Sequence, residues 1–294
     1  ALMAFQDHPA DFLILEVGLG GRFDATNIIR GKKYSLITPI SMDHQDYLGN
    51  SLSKIAFEKL SIFNNKSINF INYQKPTVKR FAKDFLNEKN MLAQFAGINW
   101  KIKNQLYIDQ DQKINLKNLS LKGFHQFENA GLAIASVKGI LKKQFNSKLV
   151  ENALPKIRWA GRLQKIESGK LTKVIHKYDS IFLDGFHNTD GVKVFINNLK
   201  GKNNFLVCSF LVNKNYKTIL RLLEPYFKKI LVTPMEEENS IQVVNVNKTN
   251  KIGTSNGLLK SIDDLNREAT SNSTIYFGGS LYFIGEVLKF NKKK

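Results

Sequence analysis

The sequence predicts an α/β protein of two domains, on three observations. Short apolar runs alternate with helix-patterned segments along nearly the whole chain, the arrangement expected of parallel sheets covered by helices. Glycine or proline stops the early runs, as at Val17-Gly18 and Thr38-Pro39. The 294 residues are enough for two cores, at roughly 100–200 residues per domain.

The pattern begins almost at once. Phe12-Leu13-Ile14-Leu15-Glu16-Val17 reads as a buried strand, so the chain enters its fold in mid-pattern and its N-terminus, Ala1, reads as incomplete. Ser35–Thr38 is the next strand. A helix over 51–63 follows, with Leu52, Ile55, Ala56, Lys59 and Leu60 at helical spacing. Ile68–Ile71 reads as a strand, 77–89 as a helix, 98–122 as a meander of weak polar strands, and 126–143 as an Ala/Leu/Ile-rich helix. After Pro155 the alternation restarts. Strands are expected at 181–184, 205–210, 230–232 and 274–277, with helices at 192–199, 216–227, 257–268 and 280–289. The joint falls near Trp159–Arg162, giving domains 1–157 and 158–294.

Composition narrows the function classes. With 43% hydrophobic and 11% aromatic residues, disorder is a poor description. No run approaches the ~18 apolar residues of a membrane span, and no basic-then-apolar leader opens the chain. A single cysteine, Cys208, cannot form an internal disulfide and reads as a buried strand thiol; a soluble, cytoplasmic protein is expected. The net charge of +19 raises the question of nucleic acid. The lysines are scattered, the only dense run is Lys292–Lys294, and no basic stripe or nucleic-acid motif appears. The charge therefore reads as a solvated surface that helps to attract anionic substrates.

Several loops carry chemistry. The segment Glu16 to Asn27 places Glu, Arg, Asp, Thr and Asn around three glycines (18, 20 and 21) just past a strand, where open α/β sheets bind ligands. Three of those positions are glycine; Phe23 stands where a dinucleotide fingerprint requires another. Asp43-His44-Gln45-Asp46 follows the next strand and could contribute to a cation site, although Mg²⁺ usually takes oxygen ligands. Lys59 on its helix has apolar neighbours; a buried amine deprotonates more easily and can then take up CO₂ as an anionic carbamate. His125-Gln126 with Asn129, Gly161-Arg162 with Gln164, and Asp184 to Gly191 mix amides, cations and glycines, each weak alone.

Taken in order, these segments, with Glu58-Lys59 and Gly279–Tyr282, resemble the successive motifs of folylpolyglutamate synthase/dihydrofolate synthase, a family of the Mur-ligase-like superfamily. The resemblance runs over essentially the whole chain. It implies a Mur-ligase-like central ATPase-type α/β domain followed by a Rossmann-like C-terminal domain. It implies an ATP-dependent ligase that joins L-glutamate to a folate-type carboxylate through an acyl-phosphate. Glu16 and His44 match the family's Mg²⁺ ligands and Lys59 its carbamylated lysine. Phe23, Asp24 and Ala25 match the segment contacting the pterin. Asn129, Arg162 and Asp184 match ATP contacts, and His187 a group beside the phosphates or the incoming glutamate. A monomer is expected.

The resemblance has gaps. No G-x-x-x-x-G-K-[ST] phosphate loop occurs in the chain, so the polypeptide alone is expected not to turn over. Asn213-Lys214-Asn215 stands where the family usually carries Asp-Lys-Asp, and Pro234–Glu238 lacks an expected arginine. Two alternatives stay open: dihydrofolate synthase activity alone, and a non-catalytic basic derivative of the scaffold that grips nucleic acid.

Overall fold

The computed structural model describes residues 2–29 and 31–292. The last two lysines of the basic run at 292–294 therefore lie outside the described residues. The chain divides into two compact units. One comprises 1–102, 108–112 and 129–145; the other comprises 103–107, 113–128 and 146–294.

In the first unit, helix α1 (Leu2–Asp7) is followed by β1 (Tyr34–Ile37), α2 (Gln45–Leu48), α3 (Leu52–Leu60), β2 (Ile68–Ile71), α4 (Pro76–Glu88) and β3 (Ala93–Phe95). The three strands form a parallel sheet in the order β1-β2-β3, with Leu36 opposite Phe70 and Phe70 opposite Gln94. Ser51 starts α3 because its hydroxyl accepts the Lys54 amide, and Pro76 starts α4 at a position where no amide donor is needed. Ile55, Ala56 and Leu60 of α3 and Val78, Ala82 and Phe85 of α4 pack with Ile37 and Ile71 into one core. The expected weak strands follow as β4 (Trp100–Lys103), β5 (Leu106–Asp109) and β6 (Lys113–Asn115), and then α5 (Phe124–Leu141).

One predicted strand is absent. Residues 12–17 adopt no regular structure, and Phe12 and Ile14 are 61% and 93% exposed. An apolar run becomes a strand only when a neighbour takes its N–H and C=O groups and a core takes its side chains. Among the described residues neither partner is supplied. The run specifies what could be buried, not what buries it.

The second unit continues with α6 (Ser147–Ala153), β7 (Gln164–Ile166), α7 (Lys170–Val174), β8 (Ser180–Asp184), α8 (Thr189–Ile196), β9 (Asn204–Cys208) and α9 (Tyr216–Leu223). Next come β10 (Lys229–Val232), β11 (Ile252–Thr254), α10 (Leu258–Glu268), β12 (Thr274–Gly278) and α11 (Leu281–Lys292). The sheet order is β11-β10-β9-β12-β8-β7. Its pairs are parallel except for the edge strand β7, which runs antiparallel to β8 and departs from the all-parallel expectation.

Helices cover both faces. Val192 and Phe195 of α8 and Ile219, Leu220 and Leu223 of α9 pack over Leu206, Cys208, Ile230 and Tyr276. Leu171 of α7, Ile262 and Leu265 of α10, and Phe283, Ile284 and Val287 of α11 pack over Ile181, Leu183, Val207 and Phe277. Every residue of β9 and β12 is buried, which is why these central strands read as unbroken apolar runs rather than alternating ones. The Cys208 thiol is fully buried, as expected, and burial pushes its pKa up. Among the described residues no helix is long and apolar enough to cross a membrane.

Candidate functional site

The candidate residues fall into two groups, one in each unit. The first is built on the glycine-rich segment 18–27. Asp24 organises it. One carboxylate oxygen accepts the amides of Gly18 and Leu19 at 3.0 Å each, and the other accepts the Thr26 amide at 2.9 Å and the Thr26 hydroxyl at 2.6 Å. The Thr26 hydroxyl bond, followed by these amides, holds the carboxyl below its ordinary pKa. Ala25 opens a single 3₁₀ turn over Ala25–Ile28 with Asp24 as its N-cap. Asp24, expected to touch substrate, is thus already engaged in shaping the loop. Phe23 beside it is 84% exposed.

This loop lies against the end of α3. The Arg22 amide donates to the Glu58 carbonyl at 2.9 Å, and its guanidinium pairs with the Glu58 carboxylate at 2.9 Å. The same guanidinium lies over the Phe23 ring at 4.3 Å and the Phe57 ring at 5.1 Å. Gly21 makes this contact possible, because a Cβ there would stand 2.7 Å from the Glu58 carbonyl oxygen and 3.2 Å from that of Lys59. Arg22, Leu48, Lys54, Phe57, Glu58 and Phe81 line an open depression of about 430 Å³. Arg22 and Glu58 each lie in a segment the sequence singles out, but their pairing has no sequence signal, since 36 positions separate them.

Lys59 is half-buried at the C-terminal end of α3. Burial lowers its pKa, and the Asp43 carboxylate acts in the opposite direction. Asp43 is therefore the group that sequence reasoning undervalued, although it adjoins His44 in the same motif. His44 takes a left-handed conformation (φ 50°) at the start of α2, with its amide on an Asp43 carboxylate oxygen at 2.9 Å and its Nε2 4.0 Å from that oxygen. Glu16 lies exposed at the end of the irregular segment. Among the described residues no three of His, Cys, Asp and Glu gather as a metal cluster. Asn129, on α5, accepts from the buried amide of Asn72 at 3.3 Å.

The second group lies in the second unit, at the carboxyl end of β8. Asp184 closes that strand and draws two loops together. One of its oxygens accepts the Leu163 amide at 2.9 Å and the other the Phe186 amide at 3.0 Å. The Gly185 amide donates to the Gly161 carbonyl at 2.8 Å, and the Gly161 amide to the Gln164 side chain at 3.0 Å. Burial raises the Asp184 pKa to about 6, against the pull of the Leu163 amide, the Arg162 charge, the Phe186 amide and His187. His187 places Nδ1 3.0 Å from the Gly185 carbonyl. Asn188 caps α8 by accepting the Gly191 amide at 2.8 Å. Arg162, Asp184 and His187, three of the expected residues, thus come together around two glycine turns at a strand end. An acceptor with a tunable charge, a guanidinium and an imidazole at such an edge can bind hydroxyl and phosphoryl groups.

Comparison with known proteins agrees with this architecture. Residues 1–137 match the Mur ligase middle domain. The dihydrofolate synthase/folylpolyglutamate synthase of Mycobacterium tuberculosis is 30% identical over 257 residues, covering 79% of this chain and 50% of the relative. The corresponding Bacillus subtilis protein is 26% identical over 312 residues, covering 96% of this chain and 68% of that protein. The chain therefore spans half the length of the first relative and about two thirds of the second. A crystal structure of Mycobacterium tuberculosis folylpolyglutamate synthase complexed with ADP and AMPPCP superposes with a TM-score of 0.84 at 25% identity, covering 99% of this chain and 71% of that one. The chain thus matches the Mur ligase middle domain over residues 1–137 and is similar along nearly its whole length to dihydrofolate synthase/folylpolyglutamate synthases.

Proposed function

We propose that the chain is part of an ATP-dependent carboxylate–amine ligase that adds L-glutamate to dihydropteroate or a reduced folate. The observation that carries this reading is the Arg162–Asp184–His187 grouping at the carboxyl end of β8, in a chain whose relatives have that activity. In this reading residues 1–157 form the central ATP- and Mg²⁺-binding domain and 158–294 the C-terminal domain. The protein works as a cytoplasmic monomer on small molecules, without nucleic acid.

ATP converts the substrate carboxylate into an acyl-phosphate, and the glutamate amine then displaces phosphate. Arg162 meets the nucleotide's anionic groups, a contact whose directed donors are worth more than a bare point charge. Asp184 accepts from the nucleotide once ionised, with its two backbone amides fixing its direction. Asn129 contributes a further polar contact to the nucleotide. His187 faces the phosphates or the glutamate. The Phe23–Ala25 segment, held rigid through Asp24, contacts the pterin. Glu16 and His44 would hold Mg²⁺, which supplies charge neutralisation on the phosphoryl group. A pair of exposed side chains suits an ion that keeps several waters and phosphate oxygens as ligands.

Glutamate-dependent ADP release from the full-length gene product, with dihydropteroate and tetrahydrofolate offered separately, tests the reaction and its breadth. Turnover on both acceptors is expected; turnover on dihydropteroate alone would assign dihydrofolate synthase activity only. DNA binding with a steep salt dependence, and no ADP release, would sink the ligase reading in favour of a nucleic-acid-binding derivative.

Lys59 is proposed to act as its carbamate, because its half-burial and lowered pKa leave more free amine to react with CO₂. Native mass spectrometry in bicarbonate is expected to find one added CO₂ that Lys59→Arg lacks. Equal uptake by both proteins would refute the modification.

A further inference from the structure

His125 has no place in the reading above, yet its surroundings are unusual. It stands in the first turn of α5, just after Gly123, whose φ of +106° turns the chain back beneath the imidazole. A Cβ at Gly123 would stand 2.6 Å from the His125 Cε1 and 2.7 Å from its Nδ1, so the ring fits only over glycine. Its Nδ1 is one of four buried side-chain polar atoms without a hydrogen-bond partner among the described residues. Leaving such an atom unpaired forfeits its hydration with nothing in return. Burial, and next the Arg162 charge, lower its pKa, so the ring is neutral and its free nitrogen can present a lone pair to a donor.

The charge that reaches His125 also reaches Asp184. The Arg162 charge thus acts both on an ionisable carboxyl with two fixed amides and on an imidazole with an unused acceptor. We propose that His125 is a positioning residue for Arg162, its Nδ1 accepting from the guanidinium when that side chain engages the anionic part of the nucleotide. The proposal rests on the nucleotide reading of Arg162. It explains why a ring nitrogen is kept buried and unpaired within reach of the Arg162 charge, where an apolar ring would avoid the cost of an unsatisfied atom. In the nucleotide-bound protein the bond both satisfies Nδ1 and fixes the direction of the guanidinium.

The test is a double-mutant cycle on the affinity of the full-length gene product for MgATP. His125→Leu fills the volume without an acceptor and is expected to weaken binding about tenfold. His125→Asn returns a polar atom near the Nδ1 position and is expected to recover most of that loss. In an Arg162→Met background, His125→Leu is expected to have no further effect. Additive losses, or a His125→Asn no better than His125→Leu, would reduce His125 to a packing residue. If the wild-type full-length protein binds no MgATP, the nucleotide reading fails instead. Independently of the affinities, the ¹⁵N shift of His125 Nδ1 is expected to move on MgATP binding and to stop doing so in Arg162→Met; a shift on binding that is unchanged in Arg162→Met overturns the His–Arg link.

Discussion

The stability difference between wild type and Asp184→Asn is expected to shrink by about 2–3 kcal/mol as pH rises from 4 to 7. In the folded chain burial raises the Asp184 pKa from 3.8 to about 6. Between those values the folded state holds a proton that the unfolded state has released. The contribution of this group is therefore complete below about pH 4 and is lost as pH rises through about 6. Asparagine does not titrate, so the difference between the two proteins isolates the carboxyl. Asparagine also turns an amide NH₂ toward either the Leu163 or the Phe186 amide, so the variant is expected to be less stable even at pH 4. Urea titrations of both proteins at pH 4 and 7 decide the matter, and a pH-independent difference would contradict the assigned burial. The functional corollary is that the ionised acceptor is held ready at some cost to the empty fold. Its Leu163 and Phe186 amides are what make that cost tolerable.

The second large effect is expected at Gly21. A valine there would drive its Cβ toward the Glu58 carbonyl oxygen, at 2.7 Å, and the Ile62 Cγ2, at 2.8 Å, both belonging to the end of α3 and the turn after it. Backbone in a packed helix gives way little. The loop must lift, and with it go the Arg22 amide bond to Glu58 and the alignment of the two ion-paired groups. A loss of about 2–3 kcal/mol in thermal or urea unfolding is expected. Protease cleavage within 18–27 should rise in parallel. In the full-length protein, displacement of Phe23–Ala25 should lower the glutamate-dependent rate about a hundredfold. Stability within about 0.5 kcal/mol of wild type would mean that the loop does not depend on its seat against α3.

Where the fold was legible, local chemistry and tertiary context agreed. Ile68–Ile71 forms a strand over the same residues the sequence suggests, and the helix read from Ser51 starts there because a cap is a property of a single residue. The elements that escaped notice are short or carry mixed patterns. Gln164–Ile166 and Ile252–Thr254 have three residues each and become strands only because β8 and β10 offer open edges. Phe12–Val17 failed in the opposite sense, having strand composition but no partner. At the site, Asp184 and His187 were readable from a strand end and the loop after it, and Arg162 from the joint between the domains. The division of labour was not. That Asp24 spends its four contacts on its own loop, and that Arg22 lies on α3, depends on separations in space that no spacing in the sequence encodes.

The first unit's sheet also bears on how the isolated polypeptide must be handled. β1 is a terminal strand of that sheet, its Leu36 is 38% exposed, and the uncovered apolar stretch at 12–17 belongs to the same unit. An open row of backbone donors and acceptors invites a strand from another molecule. Mutual repulsion from the +19 charge resists that encounter, and dissolved salt weakens the repulsion over a shorter and shorter range. Solubility is thus a contest between a sticky rim and a like-charged coat, and dilute buffer favours the coat.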